Sequence, residues 1–136
     1  MSFREKTAWI SLFTVVLVMG PYFYGLIVDP PQGAAAVGGL IKAIIAVIVL
    51  QVALHIAVAV WSPKAAQAAT DERERLIALK ADRVGYYVLA SGAFLAAATI
   101  HLGFGRAEIA NGVLAALVAA EILRSGAQIV GFRRGV

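Results

Sequence analysis

Four stretches of this chain are too long and too apolar to fold as the interior of a soluble domain. They cover roughly residues 8–28, 34–61, 85–104 and 108–130. A helix needs about 20 mainly apolar residues to cross a hydrocarbon core about 30 Å thick, and each stretch has them. Strands of a barrel would be shorter and would alternate, so helices remain the way to satisfy the backbone in lipid. Composition agrees. Of the 136 residues 61% are apolar and 15% charged, whereas a soluble domain carries about 25% charged residues. The sequence therefore predicts an all-α integral membrane protein, a four-helix bundle formed by one transmembrane domain over residues 1–136. The lipid bilayer is its first partner. The first span, with "SFREK" ahead of it, is not read as a signal peptide, because it exceeds the usual apolar region of about 7–15 residues. Pro21, with Gly20 beside it, predicts a kink there.

Lysine and arginine set the expected orientation. With the N-terminus inside, Arg4, Lys6, Lys64, Arg73, Arg75, Lys80, Arg83, Arg124, Arg133 and Arg134 lie on the cytoplasmic side, leaving only Lys42 and Arg106 outside. Such a bias places both termini in the cytoplasm and predicts a multi-pass protein of the cell (inner) membrane. It also accounts for the basic pI of 9.8 without nucleic acid as a partner. There are no cysteines, which excludes disulfides, thiolate metal sites and cysteine nucleophiles.

Residues 70–83 hold eight charges in fourteen positions and run straight into the third span. Pro63 ends the second helix, and "KAAQAAT" crosses a short cytoplasmic stretch. Asp71 reads as an N-cap with Glu74 three residues on, and Asp71, Glu72 and Glu74 acidify the first turn. Asp71 and Arg75 are spaced to pair at i,i+4. One helix is expected from about residue 71 to 102, about 48 Å long at 1.5 Å per residue. Its first third, about residues 71–84, would project as a cytoplasmic helical stalk. Tyr86 and Tyr87 would mark the headgroup level below it, as Trp61 does on the second helix.

The run Asp71-Glu72-Arg73-Glu74, followed by Ile77, Lys80-Ala81, Arg83 and Tyr86, resembles an uncharacterised family of small four-helix prokaryotic membrane proteins. These have a DER-type box before the third span. The resemblance implies a membrane location and a four-helix layout, and no particular chemistry.

Ionisable groups at membrane depth invite a functional reading. Gln51 and His55 share one face of the second span, and Glu121, Arg124 and Gln128 share one face of the fourth. If the two faces meet, His55 beside Glu121 would form an ion or proton path. The plainer alternative pairs Glu121 with Arg124 inside one helix and leaves His55 a hydrogen bond across a helix contact. At the outer end Lys42, His101 and Glu108, with Asp29 and Arg106, form either a polar cluster or an interfacial rim. The two histidines lie at opposite depths, which argues against a haem, and no spacing of histidines and carboxylates suggests a metal. No cofactor is expected. Small residues recur every four positions at Ala35, Gly39 and Ala43, at Gly92 and Ala96, and at Gly112, Ala116 and Ala120, which predicts close helix contacts. Ser91 and Thr99 are expected to bond helix carbonyls.

Without a catalytic set, the chain reads as non-enzymatic. The first expectation is an interaction, accessory or regulatory subunit that docks a membrane or cytoplasmic protein through Asp71, Glu72, Arg73, Glu74, Arg75, Lys80 and Arg83. The rival is a small homo-oligomeric transporter or channel, with Gln51, His55, Glu121 and Arg124 along its path.

Overall fold

The computed structural model describes residues 2–64 and 71–134. Most of the expected linker therefore lies outside the described residues. Four long helices make up nearly all of the rest: α1 (Phe3–Val28), α2 (Ala34–Trp61), α3 (Glu72–Ala98) and α4 (Arg106–Arg134). A 3-10 turn over Thr99–Leu102 prolongs α3. Each helix is long and apolar enough to cross a membrane, so the architecture is that of a multi-pass membrane protein.

The ends follow from local chemistry. The Ser2 hydroxyl caps α1 by accepting the Glu5 N–H at 3.2 Å. α1 runs on through Pro21 as one helix, although proline cannot donate to the carbonyl four residues back. The two short loops opposite the termini each contain a glycine with positive φ, Gly33 at 58° and Gly103 at 83°, a region that other residues enter at a cost. The last turn of α3 tightens to 3-10, and the Thr99 hydroxyl donates to the Ala96 carbonyl at 2.6 Å. Asp71 has the extended backbone of an N-cap, but its side chain makes no capping bond. Only its carbonyl joins the helix, accepting the Arg75 N–H at 3.0 Å.

In space the helices lie in the order α2, α1, α4, α3. α3 packs along α4, α4 also packs on α1, and α2 packs chiefly on α1. The arrangement follows the small residues. Lipid tails are as apolar as leucine, so helices in a bilayer associate through close van der Waals contact rather than by escaping water. A Cβ added to Gly92 would lie 2.5 Å from the Ala116 Cβ, and one on Gly112 would lie 3.1 Å from the Ala96 Cβ. Gly85 meets Arg124 and Gly131 meets Ile77 in the same way, at 3.1 and 2.7 Å. Spacings of 8, 7 and 4 residues along α3 are thus answered by 7, 8 and 4 along α4, an antiparallel seam in constant register.

α1, α2 and α4 meet over a second, bulkier contact. Val15, Met19, Ala43, Leu114 and Val118 form its buried centre, with Tyr22, Phe23, Leu40, Val47 and Ile122 against them. Near its end the Tyr22 hydroxyl donates to Asn111 Oδ1 at 2.6 Å. Interhelical hydrogen bonds of this kind contribute about 0.6 kcal/mol on average and seldom above about 1.7. Tyr22→Phe is expected to lower stability by about 0.5–1 kcal/mol. A detergent-unfolding cycle with Asn111→Leu checks this, since the second substitution should add little once the first is made.

α2 has the most apolar sequence of the four, with a mean hydropathy of 2.7 over its best stretch, of which 6% is buried. It buries Ala36 and Ala43 and turns most of its isoleucines and valines outward, toward lipid.

The first turns of α3, expected from the sequence as a cytoplasmic helical stalk, lie against neighbouring helices. Ile77 and Ala81 are 3% and 1% exposed, so the first turns of α3 are packed, not projecting alone. The cause is length. α4 extends to Arg134 and α1 starts at Phe3, beyond the limits of 130 and 8 expected from hydropathy, and both helices accompany α3.

Candidate functional site

The densest polar chemistry collects where the start of α1 and the end of α4 lie together. Arg124 is its hub. Its Nε donates to Glu121 Oε2 at 3.0 Å and its Nη2 to Glu121 Oε1 at 2.6 Å. Its Nη1 reaches Asp82 Oδ1 on α3 at 3.3 Å. These bonds occupy three of the five guanidinium N–H groups. The Ser125 hydroxyl adds a long bond to Glu121 Oε1 at 3.4 Å, and Ser125 is fully buried. Gly85 lets the Arg124 side chain lie against the α3 backbone.

Around this hub the ends of the helices are tied by weaker pairs. Arg4 Nε lies 3.6 Å from Glu74 Oε2, and Arg133 Nε lies 3.9 Å from Glu5 Oε1. The Arg133 guanidinium also stands 5.5 Å from the Trp9 ring centroid. Exposed pairs contribute little singly. Their effect here is to join α1 to both α3 and α4.

A cleft of about 220 Å³ opens between all four helices at this end. Arg4, Thr7, Ser11, His55, Arg124 and Gln128 give it polar walls, and Ala8, Ala78 and Phe132 complete them. His55 Nδ1 lies 2.7 Å from the Gln51 carbonyl of its own helix. A carbonyl can only accept, so Nδ1 carries the hydrogen. Compared with protein-family models, with curated proteins and with solved structures, the chain matches none. The functional reading rests on this geometry.

Among the residues singled out from the sequence, the cleft unites His55, Arg124 and Gln128. It does not pair His55 with Glu121, whose carboxylate is held by Arg124 and Ser125. Gln51 contributes its backbone carbonyl to His55. In the stalk set, Asp71, Glu72, Arg73, Arg75, Lys80 and Arg83 are exposed, while Glu74 is partly covered beside Arg4. Lys42, His101 and Glu108 are exposed at the other end. No hydrogen bond or ion pair joins any two of them among the described residues. The Glu108 carboxylate instead curls back over Gly105. No group of three histidines or carboxylates suited to a metal occurs among the described residues.

Sequence reasoning missed Arg4, Thr7, Ser11 and Asp82. The first three lie at i, i+3 and i+7 on one face of α1, the same signal that marked Glu121, Arg124 and Gln128. Asp82 was hidden within a charge-rich run, where nothing distinguishes an acid that faces a neighbouring helix from one that faces water.

Proposed function

We propose that this chain is a non-enzymatic accessory or regulatory subunit of the cell membrane, with both termini in the cytoplasm. It engages a membrane or cytoplasmic protein through the outer face of the first turns of α3. The observation that carries this reading is the fixed orientation of those turns. Ile77 and Ala81 are locked against the rest of the protein, which leaves Leu76 and Leu79 at 58% and 56% exposure on the far side. Glu72 and Arg75 flank the two leucines along a shallow groove, and Arg73, Lys80 and Arg83 are exposed nearby. Tyr86 and Tyr87, further along α3, mark the headgroup level, so this patch stands at or above the membrane surface. An apolar patch rimmed by charge outside the hydrocarbon is the composition of a protein contact.

Gentle affinity purification from native membranes tests the proposal. A stoichiometric second protein is expected with the wild-type chain. It should be lost with Leu76→Asp combined with Leu79→Asp, and with Arg73→Glu combined with Arg75→Glu. A homo-oligomer without partner in every preparation would refute the proposal.

The rival, a homo-oligomeric transporter or channel, draws on the polar cleft beside His55. Beyond the cleft, α1 and α4 close on Val15, Met19, Leu114 and Val118, so its path would have to run between copies. In that case His55→Ala and Glu121→Gln would change flux in liposomes, while the charge reversals on α3 would not.

A further inference from the structure

The polar cleft carries a binding assignment independent of the α3 patch. Its depth is fixed by α3. Gly85 lies against Arg124, and Tyr86 and Tyr87 follow at 67% and 62% exposure, edge to face at 5.6 Å. Paired exposed tyrosines at that position mark the membrane–water interface. Arg124 therefore sits at headgroup level, and Gln128, one turn further along α4, sits within the headgroup layer. On the orientation proposed above, this is the cytoplasmic leaflet.

The chemistry of the walls is one-sided. Among the described residues no carboxylate lines the cleft. Glu74, Asp82 and Glu121, which pair with the two guanidiniums, are absent from its lining. Arg124 keeps two N–H groups beyond those bonded to Glu121 and Asp82. The Thr7 hydroxyl gives its hydrogen to the Arg4 carbonyl at 2.8 Å. The Ser11 hydroxyl makes no hydrogen bond among the described residues, although Ser11 is only 5% exposed. The Gln128 amide is likewise without a partner there, and His55 Nε2 is the free side of a ring already oriented by Gln51. Among the described residues the sealed side-chain polar atoms without a partner are Trp9 Nε1 and Thr14 Oγ1, so the unpaired groups of the cleft are open to a ligand that enters it. The two remaining Arg124 N–H groups, the Ser11 hydroxyl and the Gln128 amide are donors that recognise phosphate oxygens, and His55 Nε2 can accept the hydrogen of a protonated phosphate oxygen.

We propose that this cleft binds a phosphate group, either that of a cytoplasmic-leaflet lipid or that of a free phosphate ester. Its 220 Å³ is several times the volume of about 30 Å³ that a water molecule takes in the liquid. That admits a phosphate group.

The test uses the full chain in mild detergent. Retention of phosphatidylglycerol and of diacylglycerol, which lacks the phosphate, is read by native mass spectrometry. The thermal midpoint is read with inorganic phosphate against chloride at equal ionic strength. Ser11→Ala combined with Gln128→Leu is the variant of choice, because Arg124 substitutions disturb the ion pairs that join α3 and α4. Retention of phosphatidylglycerol but not diacylglycerol, about tenfold weaker in the variant, is the result expected for a lipid phosphate. A midpoint raised by inorganic phosphate in the wild type, and not in the variant, identifies a free phosphate. Equal retention of phosphatidylglycerol by wild type and variant, or equal retention of the two lipids, overturns the assignment when inorganic phosphate also fails to raise the wild-type midpoint above that of the variant.

Discussion

Gly92→Leu is expected to separate α3 from α4. At Gly92 even a methyl group would lie 2.5 Å from the Ala116 Cβ and 3.3 Å from its Cα. The second atom belongs to the backbone, so no rotamer change can relieve the contact. Overpacking a well-filled site costs about 1–3 kcal/mol when side chains can yield, and here the helix axes themselves must move apart. That displacement opens the seam at Gly112 and Gly85 as well, because all three lie in one register. The absence of cysteine from the chain makes the outcome easy to read. Ala96→Cys with Gly112→Cys should form an efficient disulfide in the otherwise native protein and fail to do so when Gly92→Leu is added. Gly20→Leu is the control. Nothing lies within 4 Å of a Cβ at Gly20, and the change should shift stability by no more than about 0.5 kcal/mol. Equal disulfide yield with and without Gly92→Leu would mean that the seam is not the contact that holds α3.

Arg124→Met is expected to destabilise by about 2–3 kcal/mol, and Glu121→Met added to it should recover more than half of the loss. Removing one member of a charge pair costs far more than removing both, because the remaining charge keeps its desolvation without its partner. A carboxylate within a membrane span carries a penalty of about 2.5–3.5 kcal/mol at the centre, and less toward the interface. The Glu121 side chain is 23% exposed and that of Asp82 is 55% exposed. Most of the cost therefore falls on Glu121, while Asp82 can turn to water. Arg124→Lys should give an intermediate result, since lysine keeps the charge but cannot span both carboxylate oxygens of Glu121 and reach Asp82 as well. Detergent unfolding of the four corners of the Arg124/Glu121 cycle measures the coupling. Additive losses would show that the pair acts as two independent surface charges.

The helices were legible in the sequence because hydropathy is a local property. The limits expected for α2, 34 to 61, match Ala34–Trp61, where apolar character starts and stops abruptly at Gly33 and Ser62. α1 and α4 extend past their apolar limits through Arg4, Glu5, Arg133 and Arg134, strong helix residues, and Arg4 pairs with Glu74 and Arg133 with Glu5 across helices. The small-residue faces were also legible, but their partners were not. Gly92 pairing with Ala116 depends on the relative rotation of two helices, which spacing within either one cannot supply. The cleft shows the same limit. His55, Arg124 and Gln128 stood out by being polar within apolar runs, whereas Arg4, Thr7 and Ser11 stood near a charged terminus, where polar residues need no explanation. The Asp71 cap shows the converse error, since a favourable sequence pattern was not matched by a side-chain bond.

The spatial order of the helices also constrains how the protein is made. A chain emerging from the ribosome delivers α1 and α2 first, and they can pair as a hairpin at once. The surface of α1 that carries Val15 and Met19 is completed by Leu114 and Val118 of α4, which follows α2 and α3 in the chain. Until α4 is inserted, that surface must stay in lipid while α2 and α3 pass into the bilayer beside it. Assembly of these four helices is thus a docking of two hairpins, and it waits for the insertion of α4. The first hairpin depends on its neighbour for final placement, while the second is already zipped along its own seam. Two separately expressed halves, divided within residues 65–70, contain everything that this docking step requires.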